Sequence, residues 1–121
     1  MQMGNPGSVT LKVNFPGFSS VFLGDLGEDS QRALLAEASI GSIDVVKVAH
    51  HGSADQYAHL YEQLDPKISL LSVGAENKYG HPRAEILKLL EGMGSVTPRT
   101  DLDGLVLISV VGNSLSVWSE H

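Results

Sequence analysis

The sequence predicts an α/β fold: a mixed β-sheet with helices packed on it. Apolar side chains alternate between the two-residue spacing of strands and the i, i+3, i+4 spacing of helices. Glycine and proline punctuate the periodic runs. The 121 residues, 42% of them hydrophobic, suffice for one domain (1–121) with its own core.

Val9, Leu11 and Val13 alternate with polar residues between Ser8 and Asn14, the pattern of a half-buried strand. Pro16-Gly17 marks a turn into a second strand, Phe18 to Leu23, so the pair reads as a hairpin. Glu28 to Ala38 reads as a helix with Glu28 and Asp29 at its positive end and a buried face of Leu34, Leu35 and Ala38. Asp44 to Ala49 is a short β-branched strand. Ser53-Ala54-Asp55-Gln56 has capping-box spacing for a helix whose core stripe is Tyr57, Leu60, Tyr61 and Leu64, stopped by Asp65-Pro66.

Ile68 to Val73 is a further buried strand, and residues 74–80 a polar loop. Pro82 suits the first position of a helix over 83–93 with stripe Ile86, Leu89, Leu90 and Met93. Three strands follow, Ser95 to Thr97, Leu105 to Val111 and Ser114 to Trp118, the last two joined by a tight turn at Gly112-Asn113. Helices alternating with strands favour some parallel pairing.

A net charge of −6 argues against a domain that coats nucleic acid by charge alone. It leaves room for an enzyme acting on phosphodiesters, because bound divalent metals supply local positive charge. The absence of cysteine removes disulfides and thiolate zinc sites. No apolar run approaches the roughly 20 residues of a membrane-spanning helix, and the N-terminus lacks the pattern of a secretory signal.

Chemistry concentrates after strands. Leu23-Gly24-Asp25 closes the second strand, and Val48-Ala49-His50-His51-Gly52-Ser53 closes the third. Carboxylate and imidazole at strand ends are donors suited to zinc, manganese or iron. Asp25 taken alone reads first as a turn residue or helix cap, and as a metal ligand only second. Adjacent residues leaving a strand point in different directions, so at most one of His50 and His51 faces a metal directly while the other stands behind it or carries protons. The plainer alternative is that one of the two is simply buried and hydrogen-bonded. His81, in Tyr79-Gly80-His81-Pro82, is either the residue before a helix or a proton donor or extra ligand beyond a strand end. Lys78 and Arg83 flank it and are positioned to contact a phosphate or simply solvated. His59 lies off its helix stripe and faces solvent. Ser53 lacks the Gly-x-Ser-x-Gly surroundings of a nucleophile.

Together these segments resemble the metallo-β-lactamase superfamily, in particular the C-terminal hydrolase domain of ComEC-type DNA-internalisation (competence) proteins. The residues that carry the resemblance are Asn5-Pro6-Gly7-Ser8, Leu23-Gly24-Asp25, His50-His51-Gly52-Ser53, Asn77-Lys78-Tyr79-Gly80-His81-Pro82 and Thr100-Asp101-Leu102-Asp103-Gly104, in the family's order. It implies that Asp25 bridges metal ions (zinc or manganese), that His51 is a terminal ligand with His50 beside it, and that His50 and His81 serve the catalytic step. It also implies DNA as substrate, with Asn77, Lys78 and Arg83 near it. Attachment to a bacterial membrane protein on the extracytoplasmic side follows from the same resemblance.

The chain departs from that family in one large respect. The upstream His-x-His-x-Asp-His or His-x-Asp-x-Asp-His run has no counterpart among His50, His51, His59, His81 and His121. Leu23 also stands where Thr is usual. The expectation is therefore the C-terminal half of an αββα sandwich, binding metal weakly and hydrolysing little alone. The N-terminal half of the domain is then a partner, and a homodimer of this chain is a second expected assembly, because the face left uncovered would be apolar. A non-catalytic binding or assembly domain on the same scaffold is the alternative, and hydrolysis of another ester or lactone a weaker one.

Overall fold

The computed structural model describes residues 8–75 and 80–121. Asn5-Pro6-Gly7 and Asn77-Lys78-Tyr79 lie outside the described residues. The mixed α/β architecture is the one the periodicity implies. Strands β1 (Leu11–Phe15) and β2 (Phe18–Phe22) form the expected antiparallel hairpin, with Leu11 opposite Phe22 and Phe15 opposite Phe18. Gly17 supplies the positive φ of +102° that the turn needs. Strands β3 (Val45–Lys47) and β4 (Ile68–Leu70) run parallel to β2, giving the order β1-β2-β3-β4.

Helices α1 (Glu28–Glu37), α2 (Ala58–Leu64) and α3 (Ala84–Gly92) pack on one face of this sheet. Alternation along the strands turns Val21, Val46 and Leu71 toward them, where they meet the buried Leu60, Tyr61, Leu64, Ile86 and Leu90. A one-turn helix α4 (Thr100–Asp103) leads to β5 (Val106–Val111) and β6 (Ser114–Ser119), an antiparallel hairpin of its own. No helix of the described residues is long and apolar enough to cross a membrane.

Three local expectations are corrected. Ser53 does not cap α2. Its hydroxyl accepts the Asp55 N–H at 3.3 Å, and the helix begins only at Ala58, because the Gln56 amide turns inward. Pro82 is not the first residue of α3: Arg83 is its N-cap, and the Arg83 N–H is drawn to the Gly52 carbonyl at 2.8 Å. In α1 the expected face of Leu34 and Leu35 does pack, half-buried, against the core, and Gln31 is buried as well. Residues 95–97 form no separate strand. Val96 and Arg99 bridge Ile68 and Leu71 in parallel register, with Val96 N–H to Lys67 O and Thr100 N–H to Leu71 O. Pro98 has no N–H to donate between those two bonds, so the ladder is interrupted, as an edge position tolerates.

Register places Leu11, Phe22, Lys47 and Leu70 in one row of the helix-free face and Val13, Ser20, Val45 and Ile68 in the next. An apolar hollow of about 370 Å³ opens there between Val13, Phe15, Phe18, Phe22 and Leu70, with Ile108 of β5 reaching over it. Phe15 is 54% and Leu11 57% exposed, on a sheet whose parallel strands are of the kind normally covered on both sides.

Candidate functional site

The parallel strands β2, β3 and β4 bring three loops to one rim, the edge where α/β sheets place ligands. Gly24-Asp25 leaves β2. Gly24 has a φ of +60°, and a Cβ there would collide with the Ser8 hydroxyl, so only glycine lets the loop close on Ser8. The Ser8 Oγ accepts the Asp25 N–H at 2.9 Å and fixes where that carboxylate begins. The His50 N–H donates to the Gly24 carbonyl at 2.8 Å, so the Asp25 loop and the histidine loop are directly joined.

His50 and His51 occupy left-handed backbone, φ +51° and +55°, ahead of Gly52 at +77°. Each non-glycine residue there costs roughly 1–2 kcal/mol. The surroundings over-determine the turn. Beneath it the buried Tyr61 hydroxyl accepts the Ala49 N–H at 3.2 Å and donates to Gln56 Oε1 at 2.6 Å. The Gln56 amide donates to the carbonyls of Ala49 (2.8 Å) and Ser53 (3.2 Å). Gln31 donates to Gln56 Oε1 at 2.8 Å and accepts the Tyr57 N–H at 2.8 Å. Burial pushes the Tyr61 phenol far above its ordinary range, opposed in part by the Ala49 N–H, so it remains a donor. A Cβ on Gly52 would stand 2.7 Å from Pro82 Cβ and 2.8 Å from Leu71 Cδ2.

The turn splays the two rings. His51 Nδ1 lies 2.7 Å from the Ser72 carbonyl, and a carbonyl only accepts, so the neutral ring carries its proton on Nδ1 and offers the Nε2 lone pair. His50 Nδ1 is buried with no hydrogen-bond partner among the described residues. The His81 ring stands 5.7 Å from His50, edge to face, and His50 is 6.4 Å from His51. Desolvation, then His50, His51 and Arg83, hold the His81 imidazole below its ordinary range, which favours the neutral ring that binds a metal or accepts a proton. Among the described residues no group of three or more His, Asp or Glu side chains closes around a point able to hold a metal ion. Asp25 and His51 carry carboxylate and imidazole, donor types of the kind that hold divalent metals.

The chain is 32% identical over 103 residues to ComE operon protein 3 of Bacillus subtilis, a match covering 84% of this chain and 13% of that protein. It is 28% identical over 102 residues to Recombination protein 2 of Haemophilus influenzae, again 84% of this chain and 13% of the relative. The chain thus spans about an eighth of either relative's length. No protein-family model matches it, and no solved structure matches it significantly.

Of the residues singled out in the sequence, His50, His51, His81 and Arg83 gather at one rim, joined to Asp25 through the Gly24–His50 bond. Asn77 and Lys78 lie outside the described residues. His59 is exposed and pairs with Glu62 at 2.8 Å. Lys47 was missed. It closes β3 on the helix-free face, its ammonium half-buried, its pKa lowered by desolvation against the opposing pull of Asp25. A lysine inside Val45-Val46-Lys47-Val48 was the available signal. The Tyr61–Gln56–Gln31 network left no such trace, because its members read as ordinary helix residues.

Tyr61→Phe keeps the ring and removes the hydroxyl from the histidine loop. Urea unfolding is expected to show a loss of about 1–3 kcal/mol, the cost of stranding the buried Ala49 N–H. A variant as stable as the wild type would contradict the network's role.

Proposed function

We propose that the chain is part of a metal-dependent hydrolase that cleaves phosphodiester bonds in DNA during DNA uptake. The observation that carries this reading is the His51 ring, held by Ser72 with its lone pair on Nε2, on the rim that Asp25, His50 and His81 share. Similarity to ComE operon protein 3 and Recombination protein 2 supports the connection to DNA. The motifs that resemble ComEC-type hydrolases support the chemistry.

In this reading Asp25 and His51 hold zinc or manganese, and a bound divalent ion supplies charge neutralisation at the scissile phosphoryl group. His50 stands behind His51, and neutral His81 accepts a proton or adds a ligand. Lys47 and Arg83, with Asn77 and Lys78 from the loop before His81, offset the backbone charge of the substrate. The remaining donors come from a part of the longer protein outside this chain, the N-terminal half of the same domain. That half also covers the apolar sheet face. The longer protein sits at the membrane of a bacterium with this domain on the extracytoplasmic side.

A second reading, a binding or assembly domain without catalysis, draws on the lack of a closed three-donor group among the described residues. Both are separated by zinc and manganese titration and DNA cleavage in a protein spanning the full length of the relatives. Asp25→Ala is expected to lower metal affinity and cleavage by at least about tenfold. Equal metal content and equal cleavage in both proteins would remove the ligand role of Asp25.

The isolated chain covers its bare sheet face with a second copy. Sedimentation is expected to give a dimer that Phe22→Glu disperses, since Phe22 is 42% exposed at the hollow's edge. A monomer at all concentrations would contradict this.

A further inference from the structure

We propose that Thr100 is a positioning residue that fixes the tautomer and direction of the His51 ring through the Ser72 carbonyl. The Thr100-Asp101-Leu102-Asp103-Gly104 segment contains two carboxylates, and Arg99 engages both. Asp101 takes a bidentate pair of bonds from the Arg99 guanidinium, at 3.0 and 2.7 Å. Asp103 accepts the Arg99 N–H at 2.7 Å. Together they close a turn whose outcome is the placement of Thr100.

Thr100 grips the chain on both sides of Ser72. Its N–H donates to the Leu71 carbonyl at 3.0 Å. Its hydroxyl accepts the Val73 N–H at 2.8 Å and donates to the Val73 carbonyl at 2.9 Å. The Leu71 N–H is held in turn by Pro98 O at 3.0 Å. With residues 71 and 73 tied to the 98–100 segment, the intervening Ser72 carbonyl has one direction left, and it meets His51 Nδ1 at 2.7 Å. An exposed imidazole chooses its tautomer by the hydrogen bond that its other nitrogen makes. The Ser72 carbonyl therefore keeps the Nε2 lone pair outward, and a fixed carbonyl partner of this kind orients metal-binding histidines generally. The importance of this for chemistry rests on His51 being a ligand, as proposed above; the tautomer itself does not.

Long-range ¹H–¹⁵N correlation of the imidazoles in the full chain reads the tautomer directly. In the wild type the neutral His51 ring is expected in the Nδ1–H form. Thr100→Val deletes the hydroxyl at an exposed position, so the core is untouched. It is expected to shift His51 toward the Nε2–H form, and Thr100→Ser, which keeps the hydroxyl, to restore the wild-type spectrum. A His51 ring that keeps Nδ1–H in Thr100→Val overturns the proposal. So does a ring that keeps Nδ1–H in Thr100→Ala, which removes the hydroxyl without adding bulk and decides the matter if the valine variant fails to fold. A ring that responds to Thr100 as described yet does not shift on adding zinc to the full-length protein would count against the ligand reading alone.

Discussion

Two consecutive histidines in left-handed backbone are the constraint on which the rim depends. A strand leaving the sheet in ordinary extended geometry would carry His50 and His51 to opposite sides. The left-handed turn instead keeps both rings above the rim, 6.4 Å apart, with His81 approaching the first. Such a turn is unfavourable by itself. It persists because Tyr61, Gln56 and Gln31 satisfy the backbone beneath it and the Gly24 carbonyl and Arg83 N–H close it at either end.

The same logic links motifs that are distant in sequence. Ser8 secures Asp25, Gly24 secures His50, Ser72 orients His51, and Gly52 makes room for Pro82 beside His81. Each glycine stands where a Cβ would strike a neighbouring segment. The chain therefore places its polar groups with little adjustment left to make, which is what preorganised chemistry requires. The opposite holds for the helix-free face of the sheet, where Leu11, Phe15 and Phe22 remain exposed and, among the described residues, the β5–β6 hairpin alone intrudes through Ile108.

The strands and helices were readable because their periodicity is strong: the β1–β2 hairpin, the β3 and β4 strands and the Leu60/Tyr61/Leu64 stripe follow from spacing, whereas which strands pair in parallel did not. Misreadings arose where a tertiary bond outweighed a local signal. Ser53 and Gln56 have capping-box spacing, but the amide of Gln56 gains two buried carbonyls by turning under the histidine loop. Pro82 looks like a helix start, but the Gly52 carbonyl draws the Arg83 N–H and delays the helix. Nothing local in the sequence announces a left-handed His-His pair, since neither residue is glycine or asparagine. For the rim, the donors were visible and their backbone geometry was not.

The most direct test compares His51→Gly with His51→Ala by urea unfolding. His51 is exposed, so both variants lose the same ring contact and differ chiefly in backbone preference. In extended or right-handed backbone alanine is the more stable of the two; in the left-handed turn glycine is expected to exceed alanine by about 1–2 kcal/mol. An alanine variant equal to or more stable than the glycine variant would contradict the strained turn and, with it, the shared rim.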